Sequence, residues 1–180
     1  MPLPKEELYT TDFIYNLPDG KRAELIDGQI YYMAPPTFTH QKLCFSLSRK
    51  IADYIDSKKG DCEVVPAPFA VFLNEDDKNY VEPDISVICD KSKLTDNGCT
   101  GVPDWIIEIV SPGSIRMDYH IKLFKYRTAS VREYWIVDAL KNRIMVHNFE
   151  NETIEEYDFN DIVKAGIYED LYINFSNFNK

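Results

Sequence analysis

Two carboxylates stand where apolar side chains would be expected. In VEPDISVICD (residues 81–90) Asp84 follows Pro83 at the mouth of an apolar run, and in GVPDWIIEIVSPGS (residues 101–114) Glu108 lies within another. An ionised carboxylate is costly to bury unless a positive group pairs with it. Strand side chains alternate with period two, which puts Glu108 on the face of Ile106 and Asp104. If the two strands pair, Asp84 and Glu108 converge at one end of the sheet, where they either share a proton or bind a cation. Hard oxygen ligands, few in number, suit Mg²⁺ with positions left for water and a substrate phosphate. The following segment, IRMDYHIKLFKYRTA, reads at 100° per residue as a helix with Lys122, Lys125 and Asp118 on one stripe and Tyr119, Leu123 and Tyr126 on its neighbour. Starting just after the strand of Glu108, this helix brings Lys122 within reach of the carboxylates.

The elements that must hold these groups are legible from pattern. A short helix is expected near residues 9–16. Asp27-Gly28 in AELIDGQIYYM marks a hairpin of two antiparallel strands over residues 23–33. Leu43, Leu47, Ile51 and Ile55 recur every four residues and predict an amphipathic helix with Thr39 as N-cap and Gly60 as stop. CEVVPAPFAVFL, DISVIC and WIIEIV read as three strands, Ser114 as the cap of a helix to about Thr128, and EYWIVD with RIMVHNF as two strands joined near Lys141-Asn142. Strands interleaved with helices imply an α/β fold around a mixed sheet. A chain of 180 residues with 44% apolar content is one globular domain on this reading. Residues 149–180 are expected to form a β-rich acidic appendage.

The net charge of -10 argues against a nucleic-acid surface, because phosphate binding relies on Lys and Arg. Eight acids and two bases fall from residue 149 onward, however, and Arg116, Lys122, Lys125, Arg127 and Arg132 face only Asp118 between Ser114 and Arg132, a local basic patch. No run approaches a membrane span, and with no export signal visible in MPLPKEELYTTDFIY the protein is expected not to be exported. Cys44, Cys62, Cys89 and Cys99 are scattered without a C-x-x-C pair, which predicts reduced thiols and a cytoplasmic protein. Phosphate-loop, dinucleotide, serine-hydrolase and H-E-x-x-H motifs are missing, as is a helix-turn-helix.

In order, Glu24 in AELIDG, Pro83-Asp84, Glu108 in EIVSPGS, Asp118 and Lys122 in DYHIK, and VREYWIVD make the chain, from about Asp19 to Asn148, resemble the "putative restriction endonuclease" family of the PD-(D/E)XK nuclease superfamily. The resemblance implies a restriction-endonuclease-like mixed sheet flanked by helices with extra hairpins, a divalent metal (Mg²⁺ or Mn²⁺), and hydrolysis of DNA phosphodiesters. It implies Asp84 and Glu108 as metal ligands together with the backbone carbonyl of Ile109, Glu24 orienting a metal-bound water, and Lys122 positioning the nucleophile. His40 also stands where that family has a histidine. Val110 occupies the usual lysine position of the superfamily, so Lys122 is assigned as a lysine moved to the adjacent helix. A homodimer is expected if both strands are cut.

Each residue also has a plainer reading. Asp84 can cap a strand, Glu108 can pair with Lys122 or Arg116, Lys122 can be an i,i+4 partner of Asp118, and Glu24 can be solvated. His40 can cap or pack beside its helix start. Asp104, after Pro103, is a rival to Asp84. Two other functions stand beside the endonuclease: an inactive relative kept as a binding or scaffold module, and a metal-dependent hydrolase of another phosphate ester.

Overall fold

Asp27 and Gly28 both adopt positive φ, 50° and 78°, the conformation a two-residue hairpin turn demands. In the computed structural model, which describes residues 7–178 apart from the side chain of Asn177, that turn joins β1 (Ala23–Ile26) to β2 (Gln29–Tyr32). The reading of an absent export signal rests partly on residues 1–6, outside the described residues. A short helix α1 (Thr11–Tyr15) precedes the hairpin. Helix α2 (Phe38–Ser57) follows and buries Leu43, Leu47, Ile51 and Ile55. Its N-cap is Thr37, whose hydroxyl accepts from the His40 amide at 3.2 Å, and not Thr39, which lies inside the first turn.

Residues 62–73 form two strands rather than one, β3 (Glu63–Pro66) and β4 (Val71–Phe72), since Pro66 and Pro68 lack the amide a continuous ladder needs. Next come β5 (Ile85–Ile88), β6 (Leu94–Thr95), β7 (Gly98–Thr100) and β8 (Trp105–Ile109). A helix then begins beyond Ser114, widens into a π-helical turn at Met117–Ile121 and continues as α3 (Lys122–Thr128). The chain ends in β9 (Glu133–Asp138), β10 (Arg143–Asn148), β11 (Thr153–Asp158), β12 (Ile162–Lys164) and β13 (Tyr172–Asn174).

Six strands form the central sheet in the order β11-β10-β9-β8-β5-β3. Within this sheet, among the described residues, only β8 and β9 run parallel, because α3 connects them as a crossover. Period-two alternation along β8 divides the core. Trp105, Ile107 and Ile109 pack with the α2 row on one face, while Ile106 and Val110 pack with Tyr126, Tyr134 and Ile136 on the other. Glu108 shares the second face, beneath α3.

The acidic C-terminal segment is built into this core. β11 extends the sheet beside β10, and Phe159, Val163, Leu171, Ile173 and Phe175 join the cluster around Trp135. Buried Glu133 anchors the segment by accepting from the amides of Gly166 at 2.9 Å and Ile167 at 2.8 Å and from the Trp135 indole at 2.5 Å.

The expectation of four reduced thiols is corrected. Cys62 and Cys89 form a disulfide, and Cys44 and Cys99 are buried free thiols. Register explains it: Glu63 pairs with Ile88 across β3 and β5, so the next step outward sets Cys62 against Cys89. With Cys62 and Cys89 joined, reduced thiols no longer point to the cytoplasm. Among the described residues no helix is long and apolar enough to cross a membrane.

Candidate active site

Antiparallel register brings the two strand carboxylates together. Ile85 pairs with Ile107, and one residue further Asp84 lies opposite Glu108. The Asp84 amide donates to Glu108 Oε2 at 3.3 Å, and the Ile109 amide donates to Asp84 Oδ2 at 2.7 Å. His40, from the first turn of α2, places Nε2 3.1 Å from the same Asp84 oxygen. Burial works against a charged His40, but the hydrogen bond and charge of Asp84 outweigh it and raise its pKa.

Lys122 reaches the site from α3. Its ammonium lies 2.8 Å from Glu108 Oε1 and 2.9 Å from Glu24 Oε1. All three side chains are at most 5% exposed, so this is a buried bridge and not the surface pair with Asp118 that the spacing allowed. Glu24 Oε1 also accepts from the Glu82 amide at 2.9 Å. Burial alone would lower the Lys122 pKa; Glu108, Glu24 and Asp118 overcome it and hold the ammonium charged well beyond the usual lysine range. Tyr126, assigned by periodicity to a packing stripe, donates its hydroxyl to Glu108 Oε1 at 2.7 Å. A tyrosine on a packing stripe carries no signal of such a role.

Asp118 is the second group that local pattern misplaced. It is buried at the π-helical turn, where Ser114 Oγ donates to its Oδ2 at 2.5 Å. Ser114 therefore serves Asp118 with its hydroxyl rather than capping helical amides, although its carbonyl accepts the Asp118 amide at 2.9 Å. Burial pushes the Asp118 carboxyl from 3.8 up to about 6, against the pull of Lys122 and Ser114. The folded protein thus keeps a proton that the unfolded chain releases, and stability falls as pH rises from 3.8 to about 6, then levels. The loss should be on the order of 3 kcal/mol in metal-free protein. Urea unfolding across that window should show stability falling less steeply with pH in Asp118→Asn than in the wild type, the remainder coming from the raised carboxyl of Glu108.

These groups line a cleft of about 290 Å³, walled by Tyr31, Tyr32 and Pro35, by His40 and Gln41, and by Ser114 and Met117. Glu24, Glu82, Asp84, Glu108 and Asp118 are its carboxylates, against Arg22, Lys122 and His40. Arg22 is tied to Glu82. Burial drives the Glu108 carboxyl well above its ordinary range; Lys122 opposes this, and Asp84, Asp118 and Glu24 add to it. The pocket is short of positive charge.

Asp104, the rival to Asp84, accepts from the Cys89 amide at 2.8 Å and pairs with Arg132 at 3.2 Å, away from Glu108. The basic stretch is largely engaged within the molecule. Lys122 bridges Glu24 and Glu108, Lys125 pairs with Asp27 at 2.6 Å, and Arg132 pairs with Asp104 and Glu150. Arg116 and Arg127 remain on the exposed surface.

A mixed sheet whose antiparallel pair presents two carboxylates to a lysine on the crossover helix defines a restriction-endonuclease-like fold. It superimposes on the crystal structure of "a putative nuclease belonging to DUF820" from Anabaena variabilis with a TM-score of 0.76, over 94% of this chain and 96% of that one, at 17% identity. The chain belongs to the Uma2 family, described as "Putative restriction endonuclease", whose model it matches over residues 7–170. Two uncharacterised proteins of Synechocystis sp. are also similar. One, sll1609, is 29% identical over 127 residues, 69% of this chain and 70% of that protein. The other, slr1290, is 26% identical over 129 residues, 71% and 66% of the respective chains.

Proposed function

We propose that the protein is a Mg²⁺- or Mn²⁺-dependent endonuclease that hydrolyses DNA phosphodiester bonds, with Asp84 and Glu108 as metal ligands. The observation that carries this reading is the meeting of Asp84, Glu108 and Lys122 in one electronegative cleft. Among the described residues no three His, Cys, Asp or Glu side chains form a ready cage. The donor set nonetheless fits a hard cation: two carboxylates converge where burial leaves Glu108 in need of positive charge, and water and a phosphate can fill the remaining positions.

When bound, the metal neutralises charge on the phosphate and lowers the pKa of coordinated water. Asp84 and Glu108 would hold it, with the Ile109 carbonyl as a further ligand. His40 and the Ile109 amide fix the Asp84 carboxylate through one oxygen. Glu24 orients the attacking water, and Lys122 sets a point charge beside the reacting phosphate. Tyr126 keeps Glu108 aligned through its hydroxyl. One such site addresses one phosphodiester, so a double-strand cut calls for a homodimer.

An inactive binding or scaffold module is the second reading, favoured by the closure of Lys122 onto two carboxylates and by the engaged basic stretch. Thermal unfolding separates the two. With millimolar Mn²⁺ the wild type should gain several degrees and Asp84→Ala should not, because a ligand stabilises in proportion to its binding. Absence of any shift favours the module. Cleavage of supercoiled and single-stranded DNA, compared with a simple phosphate ester, then identifies the substrate class.

A further inference from the structure

The strongest donors that reach the cleft are turned toward its own carboxylates. Lys122 is shared between Glu24 and Glu108, Arg22 closes onto Glu82, His40 lies against Asp84, and Ser114 donates to Asp118. A surplus of negative charge draws such groups inward. Tyr31 differs. Hairpin register sets it opposite Glu24, and cross-strand partners project from the same face of a ribbon, so its side chain stands beside Glu24 on the cleft wall. The ring packs in part against the core cluster beneath α3, which fixes its position. The hydroxyl, by contrast, has no hydrogen-bond partner among the described residues, and the atom is not enclosed by protein. A rigidly held ring therefore presents an uncommitted donor next to the carboxylate assigned to the attacking water. Met33, Pro35 and Met117 line the same cleft with apolar surface, where a hydrogen bond gains strength from the lower local dielectric.

We propose that Tyr31 is a further catalytic residue, whose hydroxyl donates a hydrogen bond to a non-bridging oxygen of the substrate phosphate. The proposal deepens the endonuclease reading and rests on it for the bond that is cut. A phosphodiester brings negative charge into a cleft whose carboxylates repel it, and Lys122, already shared by Glu24 and Glu108, offsets only part of that repulsion. A further cation on this wall would be drawn onto Glu24 or Glu82, as Lys122 and Arg22 are. A phenol hydroxyl donates without bringing a charge, so it neither closes onto a carboxylate as an ion pair nor competes with a divalent cation for Asp84 and Glu108. A donor already in place and without a partner of its own needs no reorganisation as charge develops on the phosphate, the condition under which such groups contribute most.

Tyr31→Phe removes the hydroxyl and keeps the ring. Because that hydroxyl has no protein partner, the thermal unfolding midpoint and Mn²⁺ affinity of the variant without DNA should match those of wild type. Mn²⁺-dependent cleavage of DNA should nevertheless fall by about 10²-fold in kcat/KM, the effect of removing one donor of this kind. Inorganic phosphate supplies a readout that needs no cleavage. Its phosphorus resonance, broadened by Mn²⁺ on the loaded protein, should report about ten-fold weaker binding to Tyr31→Phe. Cleavage by Tyr31→Phe within about three-fold of wild type overturns the assignment and leaves the endonuclease reading standing. A fall in activity that comes with a lower unfolding midpoint or weaker Mn²⁺ binding also overturns it, since the hydroxyl would then support the fold or the metal. Wild-type protein that cleaves no DNA but binds phosphate through the Tyr31 hydroxyl removes the endonuclease reading and keeps the phosphate contact. Equal phosphate affinity in two proteins that both leave DNA intact overturns both.

Discussion

Lys122→Met should lower the stability of the metal-free protein by about 3–5 kcal/mol, the cost of breaking a buried ion pair by removing one partner. The loss follows from what would remain: Glu24 and Glu108, each almost wholly buried and each within 2.9 Å of the missing ammonium. Methionine fills the volume of the alkyl stem, so the effect reports charge rather than a cavity. Neutralising a partner should return much of it, and Lys122→Met combined with Glu108→Gln should be more stable than Lys122→Met alone. Urea unfolding of the four members of that cycle gives the coupling directly. Single and double variants that differ only additively would show that the lysine and Glu108 do not depend on each other. This result also governs how cleavage by Lys122 variants is read, since loss of activity there mixes chemistry with folding.

Asp84→Asn provides the cleaner chemical test. Asparagine retains an acceptor for the Ile109 amide and nearly the same shape, but it loses the charge that a divalent cation requires. Metal-dependent cleavage of DNA should fall by about 10³-fold or more, with the midpoint of thermal unfolding without metal within a degree or two of wild type. Activity within ten-fold of wild type would assign Asp84 to strand capping.

Local pattern carried the fold a long way. The Asp27-Gly28 turn, the four-residue rhythm of α2 and the alternation along WIIEIV are each written within a window of a dozen residues, because backbone geometry repeats on that scale. The facing of Asp84 and Glu108 needed one further step, the pairing of two strands, and the residue pattern implied it without proving it. What escaped depends on partners distant in sequence. The disulfide joins residues 27 apart through strand register. Lys125 finds Asp27 98 residues away, and Arg132 finds Asp104 and Glu150, so a run that looks basic in sequence is largely neutralised in space. Asp118 illustrates a subtler limit: helical spacing groups it with Lys122 and Lys125 on a charged stripe that reads as surface, whereas the structure buries all three, the two lysines pairing with Glu24, Glu108 and Asp27 far away in sequence. The acidic tail shows the same principle, its exposed strand residues setting the charge while Phe159, Leu171 and Phe175 decide its packing.

The central claim is that Asp84 and Glu108 together hold one divalent cation. Titration of Mn²⁺ into wild type, Asp84→Asn and Glu108→Gln, followed by electron paramagnetic resonance, measures this without reference to any substrate. The account predicts a bound ion in the wild type and at least a hundred-fold weaker binding in either variant. Equal affinity in all three proteins, or no binding to the wild type at millimolar Mn²⁺, would contradict it.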